Sequence, residues 1–280
     1  MISYKVPATS ANLGIGFDCL GLALNIYDYF YVEENDSFLI KGFMNEDITN
    51  NLFIYSYKEA CKYKKIKARP IKVICKANVP VSRGLGSSSC MIVGGIVACS
   101  LLNNNCLSKD EMLKIATKIE GHPDNVAPTI YGGLCVSNKE IVLKYKVSNK
   151  WHFGVWIPSY EVKTSEARKV LKDEIRRNDA VSNIANSIIV VDALKNFNKE
   201  NIKYITKDTI HEPYRKKLIK DFKAYEKLAY DSGALAFIIS GSGSTCLSIS
   251  DKDLAIDKSI NYKNVKVENR GIVCLKNILL

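Results

Sequence analysis

Four polar, glycine-rich stretches carry the residue types that can do chemistry. The first, Val79-Pro80-Val81-Ser82-Arg83-Gly84-Leu85-Gly86-Ser87-Ser88-Ser89-Cys90, joins an alternating strand pattern to a small, apolar helix pattern. Gly84 and Gly86 let the backbone turn tightly and bring its N–H groups close to a ligand. The helix that follows adds unsatisfied donors and partial positive charge, which suits a phosphate. Ser87, Ser88 and Ser89 offer hydroxyls to phosphate oxygens or to Mg²⁺. It is not a Walker loop, because no Lys-Ser/Thr pair follows the glycines. By itself it reads equally well as a glycine turn with a serine cap.

The second stretch, Pro7-Ala8-Thr9-Ser10-Ala11-Asn12-Leu13-Gly14-Ile15-Gly16-Phe17-Asp18, sets hydroxyls, an amide and one carboxylate among apolar residues that belong inside. The third is Glu120-Gly121-His122-Pro123-Asp124-Asn125-Val126-Ala127-Pro128. Glu120 offers carboxylate oxygens that Mg²⁺ could take as ligands, and His122 and Asn125 suit a polar substrate. Alone, it reads better as a helix end with Gly121 in the left-handed cap position and a Pro-restricted turn. The fourth, Ile239-Ser240-Gly241-Ser242-Gly243-Ser244-Thr245, reads equally as a hairpin turn. Four such loops in one chain outweigh the plain reading of each.

The elements that must position these loops follow from periodicity. Strands are expected at residues 3–7, 22–32 (one long strand or a pair), 38–40, 71–76, 153–157, 234–239, 245–250 and 271–276, with a hairpin over 132–137 and 141–145. Helices are expected at 52–63, 88–101, 109–119, 164–172, 179–197 and 214–232. Ser108 and Glu111 form a capping-box pattern ahead of the third of these segments. Strands and helices do not alternate regularly, so the class is α+β. The boundary between two halves is placed at 152/153, giving domains 1–152 and 153–280.

Composition narrows the function classes. With 280 residues, 47% hydrophobic and 25% charged, the chain has the balance of a folded globular protein. The net charge of +11 is dispersed, which argues for a solvated surface over a nucleic-acid patch. Nine cysteines, an odd number without a C-x-x-C pair, read as reduced small hydrophobes. The N-terminal residues lack a signal-peptide core, and no apolar run has the ~20 residues a membrane span needs. A cytoplasmic location is expected, without membrane or nucleic-acid partners.

Taken in order and spacing, P-A-T-S-A-N-L-G-x-G-F-D, P-x-x-x-G-L-G-S-S and S-G-S-G-S resemble the three motifs of the GHMP kinases, over nearly the whole chain. Within that superfamily, Gly16-Phe17-Asp18-x-x-Gly21-x-Ala23-Leu24, His122-x-Asp124-Asn125-Val126-Ala127-Pro128, Thr164-x-x-Ala167-Arg168 and Glu212-Pro213-Tyr214-Arg215 resemble the branch that phosphorylates homoserine. Ser89-Cys90 departs from that branch's Ala-Ala, and the Glu120–His122 interval is shorter than in some members. The resemblance implies a two-domain fold, with an N-terminal half like the second domain of ribosomal protein S5 and a ferredoxin-like C-terminal half. It implies ATP and Mg²⁺ as cofactors, L-homoserine as substrate, and a homodimer as a family-level expectation.

It also assigns roles. Asp18, Asn12 and Arg168 are the catalytic candidates. Asn12, Asp18, His122, Asn125, Thr164, Arg168 and Arg215 surround the substrate, the two arginines on its carboxylate. Asn51, Lys76, Pro80, Arg83, Gly84, Leu85, Gly86, Ser87, Ser88 and Ser89 hold the nucleotide, and Ser87, Ser88 and Glu120 hold the metal. The competing readings are a sister kinase for an isoprenoid alcohol and a non-catalytic regulator or nucleic-acid binder on the same fold.

Overall fold

The computed structural model describes residues 1–44, 46–138 and 140–275. In chain order the elements are β1 (Ile2–Ala11), β2 (Leu20–Glu34), β3 (Leu39–Lys41), α1 (Leu52–Tyr63), β4 (Ile71–Lys76), α2 (Ser87–Leu102), α3 (Lys109–Glu120), α4 (Pro123–Tyr131), β5 (Leu134–Ser137), β6 (Val142–Tyr145), β7 (His152–Trp156), α5 (Thr164–Lys169), α6 (Arg177–Asn196), α7 (Glu212–Arg215), α8 (Phe222–Asp231), β8 (Ala236–Ile239), β9 (Cys246–Ser250), β10 (Tyr262–Val265) and β11 (Val273–Leu275). Of the strand expected to Lys276, that last residue lies outside the described ones.

Among the described residues two sheets form. The first runs β11-β1-β2-β4-β3, with β5 and β6 attached through β2. The segment 22–32 is part of one long strand. Its start, Leu20–Leu22, pairs with β5, while Tyr29–Glu34 pairs with β4. A register shift at Pro7/Ala8 in β1 accompanies this change of partner. The second sheet is antiparallel, in the order β10-β7-β9-β8. Its inner residues, such as Phe153, Val155, Ile238 and Leu247, join one apolar core with Tyr4, Phe30 and Phe53 of the first half. The two sheets are therefore held together by shared burial, the main favourable term in packing.

Helix α2 is buried nearly all round, as its small apolar sequence requires. Helix α3 carries the expected capping box between Ser108 and Glu111 and ends on Gly121 in the left-handed region. The turn expected after it is instead a helix. Pro123 occupies the first position of α4, where its missing N–H costs nothing. Pro128 lies inside α4 and cannot donate to the Asp124 carbonyl. That carbonyl is packed so close to Gly21 that a Cβ there would lie 1.8 Å from it.

The helix expected over 214–232 is broken. Residues 212–215 and 222–231 are helical, with a 3₁₀ turn at 216–218 and Ile219 extended between them. Two packing demands explain the break: Arg215 is buried with its guanidinium on the carbonyls of Ala167 and Gly241, whereas Ile219 and Phe222 pack with Trp156 and Phe237 in a second cluster. Strand β10 was absent from the sequence expectations. Its two middle residues, Lys263 and Asn264, are exposed, so no apolar alternation marks it.

Candidate active site

The four loops converge on one cavity of about 300 Å³. Of the expected residues, Asn12, Asp18, Gly84, Gly86, Ser87, Ser88, Glu120, His122, Asn125, Thr164, Arg168 and Arg215 line it. Ser82, Asp124, Gly241 and Ser242 line it as well. Asp124 was quoted within a motif and Gly241 within a loop, but neither had been assigned a role.

The floor is the N-terminus of α2. Gly86 caps it at φ 71° with no side-chain bond to the first turn, so those N–H groups are not taken by a cap. A Cβ on Gly86 would lie 2.1 Å from Thr9 Oγ1, so glycine is required both for its conformation and for its space. Leu85 anchors the loop from beneath: its side chain is fully buried and its carbonyl accepts from Thr9 N. Ser240 Oγ donates to Gly84 O at 2.7 Å and Thr245 N donates to Arg83 O, so the fourth loop clamps the first. Cys90 lies fully buried behind this loop, and burial pushes its thiol pKa well up.

Beside the floor, Ser88 Oγ donates to Glu120 Oε2 at 2.8 Å and Ser89 Oγ to Glu120 Oε1 at 3.0 Å. Ser87, Ser88 and Glu120 give an all-oxygen donor set on the cavity edge, which fits a hard cation such as Mg²⁺. A second group, Asp18, His122 and Asp124, has ligand atoms within 4.8 Å of one another. Its members are already engaged: Asp18 with Arg168, and His122 with Asp124.

The opposite wall is charged. Asn12, at φ 68°, donates through Nδ2 to Gly241 O and accepts through Oδ1 from Asp18 N, each at 2.9 Å. It is a tie between loops, 3% exposed, that fixes the backbone of Asp18. The Asp18 carboxylate receives both Arg168 guanidinium nitrogens at 3.0 and 2.9 Å. Arg215 is buried, with Nε donating to Ala167 O and Nη1 to Gly241 O. Burial, with Arg168 beside it, lowers its pKa to about 10, so it stays a cation at neutral pH. The Phe17 ring lies 5.6 Å from the Arg168 guanidinium and 5.0 Å from that of Arg215.

His122 Nδ1 lies 2.5 Å from Asp124 Oδ1, and this hydrogen bond raises the imidazole pKa despite burial. Asn125 Oδ1 accepts from Thr9 Oγ1 at 2.7 Å, and Thr164 Oγ1 meets Ser242 Oγ at 3.3 Å. Behind Phe17 lies His211, fully buried and stacked on its ring at 5.3 Å. His211 Nε2 lies 2.6 Å from Gly14 O and so donates to it. Asp208 accepts from the backbone N–H of His211 and Glu212. Sequence reading passed over His211, since a lone histidine beside the E-P-Y-R motif carries no spacing signal.

The remaining expected residues lie outside the lining. Asn51 caps α1 through its side chain, and Lys76 is the exposed last residue of β4. Pro80 opens the phosphate-type loop. Arg83 reaches across to the Ser159 carbonyl at 2.9 Å and pairs with Glu161 at 3.2 Å. Ser89 is buried under Glu120.

Comparison with known proteins agrees with this geometry. Family models match at residues 51–133 (GHMP kinases N terminal domain) and 190–259 (GHMP kinases C terminal). Homoserine kinase of Clostridium acetobutylicum is 41% identical over 258 residues, 89% of this chain and 87% of that protein. Homoserine kinase of Clostridium beijerinckii is 42% identical over 260 residues, 90% of this chain and 87% of that protein. A crystal structure of homoserine kinase from Cytophaga hutchinsonii superposes with a TM-score of 0.87 at 27% identity, covering 98% of this chain and 97% of that one. Methanococcus jannaschii mevalonate kinase shares the fold, with a TM-score of 0.72 at 19% identity over 95% of this chain and 98% of its own. With its two-domain α+β fold, phosphate-type loop and paired arginines, the chain belongs to the homoserine kinase family of the GHMP kinases, ATP-dependent enzymes that phosphorylate hydroxyl groups.

Proposed function

We propose that this protein transfers the γ-phosphoryl group of ATP to the side-chain hydroxyl of L-homoserine, giving O-phospho-L-homoserine and ADP in threonine biosynthesis. The observation that carries the reading is the Asp18–Arg168 pair, backed by Arg215, facing the open N-terminus of α2 across one cavity. An amino acid is a zwitterion. Its ammonium group matches Asp18 and its carboxylate matches Arg168 and Arg215, so both its charges find partners already set side by side.

The phosphates of ATP go to the Gly84–Ser89 loop and the first turn of α2. Mg²⁺, held by Ser88 and Glu120 with Ser87 adjacent, supplies neutralisation of charge on the phosphoryl oxygens when bound. Asn51, Lys76 and Pro80 are assigned to the nucleotide by the family resemblance. Phosphoryl transfer with a loose transition state needs positioning and charge stabilisation more than a strong base. Asp18 therefore orients the substrate, with His122 and Asn125 beside the hydroxyl end and Asn12 fixing Asp18. We take 1–152 and 153–280 as the two functional halves, with ATP between them; β11 returns to the first sheet.

The test is ADP release with ATP and Mg²⁺ over homoserine, serine, threonine, mevalonate and galactose. Turnover confined to homoserine is expected. Turnover with another alcohol in its place would keep the kinase and remove the substrate; no turnover with any would remove both.

A further inference from the structure

Asp28 is a carboxylate placed where strand alternation calls for an apolar side chain. It shares the buried face of β2 with Phe30 and Val32 and is itself 0% exposed. The ladder between β2 and β4 runs from Glu34 opposite Ile71 to Tyr29 opposite Lys76, and stops one residue short of Asp28. From there the side chain of Asp28 takes over. Its Oδ1 accepts from Asn78 N at 2.7 Å and from Val79 N at 2.9 Å, while Asn78 Nδ2 donates to Tyr27 O at 2.9 Å. Asp28 Oδ2 is buried too and has no hydrogen-bond partner among the described residues. A carboxylate buried with one oxygen unpartnered costs stability. Burial raises its pKa to about 6 although the two amide bonds lower it, so it is ionised at neutral pH. That cost falls where the chain leaves the sheet for the phosphate-type loop.

We propose that Asp28 is a positioning residue for the nucleotide: its Oδ1 fixes the backbone of Asn78 and Val79, and through it Pro80 and the entry to the Gly84–Ser89 loop. The proposal rests on the nucleotide site proposed above and deepens it. The far end of the loop is held from other elements: Leu85 O accepts from Thr9 N, Gly84 O from Ser240 Oγ and Arg83 O from Thr245 N. At the entry, two successive backbone N–H groups converge on one carboxylate oxygen. An ionised oxygen can accept both, and such charge-assisted bonds are roughly twice as strong as neutral ones. Asp28 is not among the residues that line the cavity, so it acts through the loop and not on the reacting groups. Its effect therefore falls on ATP. Homoserine is matched by Asp18, Arg168 and Arg215 on the opposite wall, which Asp28 does not touch.

The test is steady-state kinetics, with calorimetric titration of ADP and Mg²⁺, on the full chain carrying Asp28→Leu or Asp28→Asn. Circular dichroism and thermal melting check the fold of each. Leucine is close to aspartate in shape and accepts nothing, whereas asparagine keeps the accepting oxygen. Asp28→Leu should raise the KM for ATP and the Kd for ADP roughly tenfold or more, with the KM for homoserine unchanged. Asp28→Asn should recover all but roughly two- to fivefold of that loss. A purely structural role would lower the melting temperature and leave the nucleotide constants alone, or move both substrates alike. If Asp28→Leu does not fold, Asp28→Ser, whose hydroxyl stops one bond short of the loop, carries the same expectation. Unchanged nucleotide constants in a folded Leu or Ser variant, a homoserine KM that rises with that of ATP, an Asn variant no better than Leu, or failure of both Leu and Ser to fold would each overturn the proposal. An unaltered chain that binds no ADP with Mg²⁺ would remove the nucleotide site itself, and the proposal with it.

Discussion

Replacing His211 with glutamine should change how stability depends on pH. His211 is fully buried, and desolvation holds its pKa down at about 4 from an ordinary 6.5. It is neutral in the folded protein and protonates in the unfolded chain as pH falls through 6.5. Its contribution is thus complete above pH 6.5 and is lost between 6.5 and 4. That shift amounts to about 3 kcal/mol at 1.36 kcal/mol per pKa unit. Its neighbour acts in the opposite sense. Complete burial raises Glu212 to about 7 from 4.5, so its ionisation costs stability as pH rises from 4.5 to 7. In the unaltered protein the two largely offset each other between pH 4.5 and 6.5. In His211→Gln the amide can still donate to Gly14 O, but the titration is gone and the Glu212 slope stands alone. Urea unfolding followed by fluorescence of the buried Trp151 and Trp156 reads this at half-unit pH steps. The stability of the unaltered protein minus that of the variant should fall by about 3 kcal/mol from pH 6.5 to 4. A difference that stays constant over that range would refute the neutral, desolvated imidazole.

Three further outcomes follow from the site. Gly86→Ala forces a Cβ to within 2.1 Å of Thr9 Oγ1 at a positive φ; it should cost roughly 1–3 kcal/mol of stability and raise the KM for ATP, checked by thermal melting and initial rates. An unchanged KM for ATP would remove the loop from the phosphate site. Glu120→Gln keeps one acceptor oxygen for a serine hydroxyl, turns the other contact into an amide donor and loses the anionic ligand, so the Mg²⁺ concentration for half-maximal rate should rise; an unchanged Mg²⁺ titration would exclude Glu120 as ligand. Arg215→Lys removes a forked donor set and should raise the KM for homoserine by ten- to a hundred-fold, roughly 1.5–3 kcal/mol for bonds to a charged group, with kcat less affected. A dominant effect on kcat would place Arg215 at the transferring phosphoryl group.

The loops were legible because their glycines and serines are punctuation: Gly84 to Ser88 and Asn12 to Asp18 reach the cavity as their chemistry suggests. What sequence could not show was which of these residues the protein uses on itself. Asn12 ties two loops together, Arg168 is paired with Asp18, and Arg83 spans to Glu161. Such pairings depend on residues more than sixty positions apart. Pro123 was read as ending order when it begins a helix, because a proline at the first helical position and one in a turn share the same local sequence. The break at Ile219 was invisible for a different reason: residues 214–232 have helix-compatible composition, and the helix stops where the burial of Arg215 on two distant carbonyls gives way to the packing of Ile219 and Phe222 in the second cluster. Helix α6 was expected over 179–197 although its polarity is inverted over the first turns, since helix propensity does not depend on which face is wet.

The pairing of β11 with β1 bears on biosynthesis. β1 presents one side to β2 and the other, at Ser3 to Lys5, to residues 273–275. During translation that second side has no mate until residues 273–275 have left the ribosome. At ~5–20 residues per second, the stretch from β7 to β11 alone takes roughly 6–25 s to synthesise. Throughout that interval the nascent N-terminal sheet exposes a strand edge able to recruit another chain. Nascent copies on one polysome therefore carry a transient edge-pairing hazard, and a chaperone that shields β1 during synthesis should raise the yield of folded enzyme more than one added after release.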